Sequence, residues 1–363
     1  MLDYLEKYYD LPGDFVTRHR LQAFDGAYFT NEFPHLFSFS EDNAAASRLE
    51  ENRQAGSVRF MPAITLPEPG PEWAEVTLDR LVKFFHHPSK FLLAERLGVR
   101  LPEEEAPMPD SEPSSLDGLT RHQLRDRLTA RSVSRGGLAA DAAVARATGA
   151  LPPGYAGESA YGTIAEEVGE LLDRLTPDLA GAVLPALPLE LNAGGLRLLG
   201  GLTDVRPQAL VRYRAGKLRP VDRVQAWLAH LALQCAAPDT HPKTTIFHAL
   251  DATLRFRPVD EAREILATML DLYTRGLREP LRFFPNTSWE FAKQKLRPSK
   301  TSKKSPQQAA EQAWLGSNYT PGEADNAWLQ LAWRGIDQPL DADFEAIATA
   351  VFGPMFDAME EAE

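Results

Sequence analysis

Apolar side chains recur at helical spacing in several separate stretches of the chain. Leu78, Leu81, Val82 and Phe85 follow one another at the i, i+3, i+4, i+7 spacing that places side chains on one face of an α-helix. Thr77 stands directly before this run, and threonine is a favourable residue at a helix N-cap. The pattern therefore predicts a helix that begins after Thr77.

Two further stretches carry an equally regular apolar stripe. The first lies between residues 262 and 276 and is closed by Gly276, and the second begins at Asp341. Glycine is common just past the C-terminus of a helix. Both stretches predict amphipathic helices, whose inward-facing residues are Ala262, Ile265, Leu266, Met269, Leu272 and Tyr273 in the first and Phe344, Ile347 and Val351 in the second.

Between residues 187 and 211 the helical period disappears, and glycines separate short apolar runs. Gly194-Gly195 and Gly200-Gly201 are typical of turns or bulges between strands. Residues 244–250 predict one more strand. Because the predicted strands gather in the middle of the chain and helices flank them, the sequence predicts an α/β domain with a small central sheet.

The first 75 residues differ from the rest of the chain. They are rich in aromatic residues, prolines and short polar gaps, and they show little helical periodicity. We therefore expect residues 1–75 to form an extended segment that wraps over another surface. Residues 76–363 are expected to form the α/β domain.

The stretch from Gly200 to Arg214 has the shape of a restriction-endonuclease-like core. Such a core carries one acid at the end of a strand, and a second acid and a lysine on the next strand. Asp204 fits the first position, but Arg212-Tyr213-Arg214 stands where Asp-Tyr-Lys is expected. Side chains alternate along a strand, so Arg212 and Arg214 are predicted to share one face, where the metal ion of an active nuclease lies.

A guanidinium group only donates hydrogen bonds and stays charged. At a separation of ~4 Å and an effective dielectric constant of ~20, two unit charges repel each other by about 4 kcal/mol. A divalent cation beside Arg212 or Arg214 meets about twice that repulsion. The sequence therefore predicts a degenerate nuclease core with no bound metal and no catalytic residue.

Other interpretations of these residues exist. Arg212 and Arg214 suit phosphate oxygens of DNA, but an internal ion pair with Asp204 or Glu190 is the favoured interpretation. Asp204 is either a metal ligand or, as we favour, an acid in a turn. Gln225 corresponds to a glutamine near the site of active relatives, and it is interpreted here as a structural hydrogen-bonding residue.

A dense basic run follows Trp289 and Phe291. A basic, aromatic-flanked loop is typical of surfaces that follow a phosphate backbone, although most charge runs are simply solvated. We keep both interpretations open for this run, whose members are Lys293, Lys295, Arg297, Lys300, Lys303 and Lys304. The adjacent histidines His86 and His87 cannot face each other on a helix, and they are interpreted as structural.

Composition narrows the class of protein. The formal net charge of the 363 residues is −12, so any contact with DNA requires a local basic patch or a surface shared with other chains. Cys235 is the single cysteine, which excludes an internal disulfide and favours a reducing, cytoplasmic location. The sequence contains no apolar run long enough for a membrane span. It also contains no phosphate-binding P-loop motif, so no nucleotide cofactor is predicted.

Several blocks of residues, in a consistent order, resemble the C-terminal part of the RecC family, the gamma subunit of exodeoxyribonuclease V (RecBCD). The resemblance covers nearly the whole chain. Arg20 and Ala23 replace prolines of the family pattern, and His122 replaces a tyrosine. The matching blocks are Thr17 to Phe24 followed by Tyr28-Phe29, the helix pair from Leu78 to Leu97 around Phe84-Phe85-His86-His87-Pro88, Leu116 to Leu119 followed by His122-Gln123-Leu124, and Tyr273 to Trp289.

This resemblance implies a non-catalytic domain similar to the nuclease domain of RecB but without its metal ligands. It implies partners of the RecB and RecD type, double-stranded DNA ends and unwound single strands, and a role in double-strand-break repair and recombination. RecC subunits carry a long helicase-like region before this part, so the chain resembles a fragment or a truncated homologue. Two alternatives stay open: an active metal-dependent nuclease that uses Asp204, and a subunit-docking module without DNA contact.

Overall fold

The computed structural model describes residues 7–9, 16–51, 59–61, 65–102, 115–135, 138, 142–298, 304–317, 319–336 and 338–362. The chain divides into two compact units, Met1–Val58 and Arg59–Glu363. The sequence placed its boundary at residue 75, and the wrapping role of the first segment stays a prediction.

The first unit contains a helix, α1 (Glu41–Glu51), inside the segment that was expected to be extended. The Oγ of Ser40 accepts a hydrogen bond from the backbone N–H of Asn43 at 3.3 Å, as at a helix N-terminus. Glu41 and Asp42 occupy the first turn, where negative charge is favourable. The helix has no strong apolar stripe, so apolar periodicity did not reveal it.

The second unit alternates helices with short strands. In chain order its elements are β1 (Glu75–Thr77), α2 (Leu78–His86), a helical turn and a π-helix (Pro88–Lys90 and Phe91–Arg96), α3 (Gly118–Arg135), α4 (Ala142–Ala147), α5 (Tyr155–Leu175), β2 (Leu187–Ala193), β3 (Leu196–Leu202), β4 (Leu210–Tyr213), α6 (Pro220–Ala236), β5 (Thr245–His248), β6 (Thr253–Phe256), α7 (Ala262–Gly276), α8 (Pro285–Leu296), α9 (Pro306–Leu315), β7 (Gly316–Ser317), β8 (Thr320–Pro321), α10 (Ala327–Ala332), α11 (Ala342–Ala358) and β9 (Met359–Ala362).

The three helices predicted from apolar stripes are confirmed. The Oγ1 of Thr77 accepts a hydrogen bond from the N–H of Arg80 at 3.1 Å, so Thr77 caps α2 as expected. Helix α7 ends at Gly276. The carboxylate of Asp341 caps α11 by accepting hydrogen bonds from the N–H groups of Asp343 and Phe344 at 3.1 and 3.2 Å.

The α/β class is confirmed, but the strands of the described residues form three sheets instead of one central sheet. Strand β3 lies between β1, which is parallel to it, and β2, which is antiparallel. The second sheet has the order β4-β5-β6-β9, with β4 parallel to β5, and the third is the β7–β8 hairpin. An isolated bridge between Val205 and Leu210 joins the turn after β3 to β4. The polypeptide thus leaves one sheet near Asp204 and enters the next, which sequence alternation does not reveal.

Helix α6 lies in the centre of the second unit, and its residues Val224, Trp227 and Leu228 are buried. The ring of His230 on the same helix stacks against those of Trp227 and Phe256, with centroid distances of 5.5 and 5.4 Å, and these two rings also contact each other at 5.5 Å. Its two ring nitrogens lie 2.9 Å from the Oγ1 of Thr245 and 3.0 Å from the carbonyl oxygen of Arg257. Burial lowers the pKa of His230 to about 4. The core therefore holds α6, and the residues at its N-terminus, in a fixed position.

No helix among the described residues is both long and apolar enough to cross a membrane.

Candidate functional site

The two faces of β4 contact different parts of the protein. Leu210 belongs to the main core cluster with residues of α6, whereas Val211 packs in a separate cluster with Leu175 of α5. Arg212 lies on β4, and Arg214 directly follows the strand. Alternation of side chains places both on the side of Leu210, and their sharing of one face stays a prediction.

Arg214 forms an ion pair with Asp222 in the first turn of α6. The Nη1 of Arg214 donates a hydrogen bond to the Oδ2 of Asp222, whose side chain is only 4% exposed. Asp222 also accepts hydrogen bonds from Arg219, through its backbone N–H at 2.9 Å and through Nε and Nη2 at 3.2 Å each. An internal partner for Arg214 was expected, but Asp204 or Glu190 was the wrong choice.

The structure shows why those two acids are not the partners. Glu190 lies on β2 in the other sheet, and its Oε1 accepts a hydrogen bond from the Nη2 of Arg197 at 2.8 Å. Asp204 is exposed in the turn after β3, at a φ of 63°. Its Oδ2 accepts a hydrogen bond from the Oγ1 of Thr203 at 3.0 Å. Asp204 therefore occupies a turn, in agreement with the favoured interpretation.

Arg214 and Asp222 line a cleft of about 430 Å³, which we call the arginine cleft. Gln225 also lines it, so the structure brings together two of the four degenerate nuclease positions; Asp204 and Arg212 are not in its lining. The wall is completed by His86 at the end of α2, by His122, Asp126 and Thr129 of α3, and by Tyr213, Ala215, Arg219 and Phe247.

His86 is the histidine of the arginine cleft with an unsatisfied ring nitrogen. Its Nε2 is buried and has no hydrogen-bond partner among the described residues. Burial lowers the pKa of His86, and the charges of Arg219 and Arg214 add to this effect while Asp222 opposes it. This shift favours the neutral form of the imidazole, which carries one N–H donor.

The charges of the arginine cleft do not favour a metal ion. Among the residues that the structure describes, no group of three or more histidine, cysteine or acidic residues is arranged to hold one. The buried carboxylate of Asp222 already has two guanidinium partners, Arg214 and Arg219. A cation would have to displace them against a repulsion of about 4 kcal/mol per unit charge at ~4 Å.

A second cavity, of about 680 Å³, lies between α8, α9 and the β7–β8 hairpin, and we call it the lysine groove. Lys293, Arg297 and Lys304 of the predicted basic run line it. Gln294 also lines the groove, and its Nε2 donates a hydrogen bond to the carbonyl oxygen of Lys304 at 2.7 Å. Lys300 and Lys303 lie outside the described residues.

The described members of the basic run have different surroundings. Arg297 donates from Nη2 to the carbonyl oxygens of Phe356 and Met359, so it ties α8 to the end of α11. Lys295 donates to the Oγ1 of Thr349 at 3.4 Å. Lys293 is exposed on the groove wall, and Lys304 contacts Gln312. The basic run is therefore partly structural and partly available to a ligand.

Among the residues that line the arginine cleft, His86 was interpreted as structural, which stays a prediction, and Asp222 and Arg219 were not singled out from the sequence. One local signal was present for the last two: Arg219-Pro220 precedes an acid at the third helical position, where a carboxylate reaches back to the N-cap N–H. No local signal connects His86 to α6, because 136 positions separate it from Asp222 (222 − 86).

Comparison with known proteins identifies the family. A family model described as the RecC C-terminal domain matches residues 73–296, which is more than half of the chain. The chain therefore belongs to the RecC C-terminal domain family, and the resemblance noted from the sequence is confirmed.

Individual relatives agree with this assignment. The chain is 28% identical over 281 residues to the RecBCD enzyme subunit RecC of Escherichia coli (strain K12). This alignment covers 75% of the chain and 24% of that relative. It is 28% identical over 345 residues to the RecBCD enzyme subunit RecC of Mycolicibacterium smegmatis. This second alignment covers 90% of the chain and 30% of that relative. The chain thus spans 24–30% of the length of these curated relatives.

Proposed function

We propose that this chain is a non-catalytic domain of a RecC-type subunit, which docks partner subunits of the RecB and RecD type and guides DNA during double-strand-break repair. Its fold is proposed to be a restriction-endonuclease-like core whose catalytic positions are degenerate. The observation that carries the proposal is the ion pair between Arg214 and the buried Asp222. The guanidinium of Arg214 places a permanent positive charge in the arginine cleft, whereas an active nuclease needs an open site for a metal ion.

The lysine groove supports the DNA-guiding part of the proposal. Lys293 of α8 and Lys304, which lies just before α9, line the same cavity. Tyr319, at the tip of the neighbouring β7–β8 hairpin, is 97% exposed. Lysine side chains bind the phosphate backbone through charge, and exposed aromatic rings stack on bases. The groove therefore offers both kinds of contact in one place.

Charge reversal tests the DNA-guiding role. We expect the double variant Lys293→Glu/Lys304→Glu to weaken the binding of a forked DNA by about tenfold or more at low salt, because phosphate contacts dominate such binding. Fluorescence anisotropy with a labelled fork measures the affinity. Lys217→Glu, a charge reversal at an exposed lysine outside the groove, is the matched control.

Equal affinities of the double variant and the control would favour a docking module without DNA contact. The docking role is tested separately, by co-purification of the chain with RecB-type and RecD-type subunits. Failure to co-purify with either subunit contradicts that part of the proposal.

The non-catalytic character is tested by a cleavage assay. Linear DNA incubated with the chain and Mg²⁺ or Mn²⁺ is expected to stay intact. Cleavage by the wild-type chain that disappears in Asp204→Ala would instead establish the alternative, an active nuclease that uses Asp204.

A further inference from the structure

The arginine cleft contains more positive charge than its internal acid neutralises. Arg214 and Arg219 both donate to Asp222, so this group carries two positive charges and one negative charge, a net of +1 (2 − 1). The side chain of Asp222 is 4% exposed, whereas that of Arg219 is 53% exposed. The carboxylate therefore orients the two guanidinium groups from below, and the remaining donors of Arg219 are accessible to a ligand.

A third donor faces the same cavity from a different element. His86 comes from the end of α2, Arg214 from the end of β4 and Arg219 from the start of α6, and all three line the arginine cleft. The Nε2 of His86 is buried without a partner among the described residues. A buried ring nitrogen without a partner costs free energy, and a rotation of the imidazole toward a bound phosphate oxygen would remove that cost.

We propose that the arginine cleft is a phosphate-binding subsite, in which Arg219, Arg214 and His86 hold one phosphate group of a nucleic acid. A tetrahedral phosphate presents oxygens in several directions, which matches donors that converge from three elements. The cavity of about 430 Å³ lies within the ~300–1,000 Å³ range of small-ligand sites.

The carboxylate of Asp126 on α3 adds a negative charge to the lining of the arginine cleft. Asp126 lies 3.3 Å from the Nε2 of His122, one helical turn away on α3, and both side chains are partly exposed. This pair places a carboxylate across from the proposed phosphate. Binding is therefore expected to select one phosphate group near Arg219 and to exclude a second one beside Asp126.

The inference rests on the proposed function only for the carrier of the phosphate, because the subsite can be tested with inorganic phosphate alone. Inorganic phosphate is titrated into the ¹⁵N-labelled chain, and the side-chain N–H signals of arginine and histidine are followed by NMR. We expect shifts at Arg219 and His86 that saturate. Arg219→Gln should weaken binding by about tenfold, because a charge-assisted hydrogen bond is lost.

Two further variants keep the test clear. Arg197→Gln removes the same charge from an exposed arginine on β3 that lies outside the cleft, and it should leave the affinity unchanged. Arg219→Lys keeps the charge but loses the fork, and it should give an intermediate affinity. Equal affinities of wild type and Arg219→Gln, or acetate competing as well as phosphate, would overturn the proposal; the latter outcome would indicate a site for an acidic protein segment.

Oligonucleotides then distinguish the source of the phosphate. Tighter binding of a 5′-phosphorylated single strand than of its unphosphorylated counterpart, with the difference lost in Arg219→Gln, identifies a terminal phosphate. Equal binding of the two strands, weakened equally by Arg219→Gln, identifies an internal phosphodiester. Loss of DNA binding in the groove variant Lys293→Glu/Lys304→Glu, with phosphate titration unchanged, separates this subsite from the DNA-guiding surface.

Discussion

The arginine cleft and the lysine groove both contain cationic side chains, but they are built in opposite ways. In the cleft, Arg214 and Arg219 converge on the buried carboxylate of Asp222, so their positions are set by the protein interior. In the groove, Lys293 is exposed, and the neutral side chain of Gln312 is one of the partners of Lys304. A fixed arginine provides geometry, whereas an exposed lysine provides a mobile charge. If the cleft binds phosphate as proposed, its two fixed arginines would set the geometry of the bound anion, which the exposed Lys293 of the groove would not do.

The largest effect that tests this contrast is expected from Asp222→Ala. Removal of one partner from a buried ion pair leaves an uncompensated charge and typically costs about 3–5 kcal/mol. We expect the free energy of unfolding, measured by urea denaturation, to fall by about 3 kcal/mol.

Glu290→Ala is the matched control, because Glu290 is a half-buried acid that lines the lysine groove. Its loss is expected to change the free energy of unfolding by no more than about 0.5 kcal/mol. If both variants lost the same stability, the cleft would be no more rigidly built than the groove.

His230, which lies on the same helix as Asp222, should also make the stability of the protein sensitive to acid. The pKa of His230 is lowered by burial to about 4, below the value of 6.5 for an unperturbed histidine. A depressed histidine pKa contributes stability above pH 6.5 that is lost as the pH falls toward 4. We expect a loss of about 2 kcal/mol between pH 7 and pH 5.

Urea denaturation at both pH values, for the wild type and for His230→Asn, measures this contribution. The variant has no titrating ring, so its stability should fall less over the same interval. The same fall in both proteins would show that other groups cause the acid sensitivity.

A smaller loss of stability is expected from the replacement of Glu323, an acid that lines the lysine groove. The carboxylate of Glu323 accepts hydrogen bonds from the N–H groups of Asn286 and Thr287 at 3.1 and 2.7 Å, at the N-terminus of α8. Burial raises the pKa of Glu323. Loss of a comparable helix cap costs about 1 kcal/mol, so Glu323→Ala should reduce the free energy of unfolding by about that amount.

Glu323→Gln keeps an acceptor oxygen and should retain part of this stability. A loss from Glu323→Ala as large as that from Asp222→Ala would break the contrast between the two regions.

The smallest effect on stability is expected from Lys293→Ala, at an exposed position of the lysine groove. We expect the free energy of unfolding to change by no more than about 0.5 kcal/mol. If Lys293 contacts a phosphate, the slope of log affinity against log salt should become shallower by about 1. Anisotropy titrations at several salt concentrations measure this slope, and an unchanged slope would remove Lys293 from the DNA-guiding surface.

The sequence by itself determined the helices with strong apolar stripes and the density of charge in the basic run. Helices α2, α7 and α11 were predictable because a period of 3.6 residues and a capping residue are local properties. Helix α1 and the edge strand β9 were not, since neither carries an apolar period. The family was recognisable from blocks spread along the chain.

Only the tertiary structure decided which acid neutralises which arginine and how the strands divide among sheets. Asp204 and Arg212 are close in sequence, yet the chain changes sheets between them, and the partner of Arg214 is Asp222 on the following helix. The arginine cleft needs residues from α2, α3, β4 and α6. Pairing between distant residues depends on packing and burial across the whole domain, which no local pattern of side chains contains.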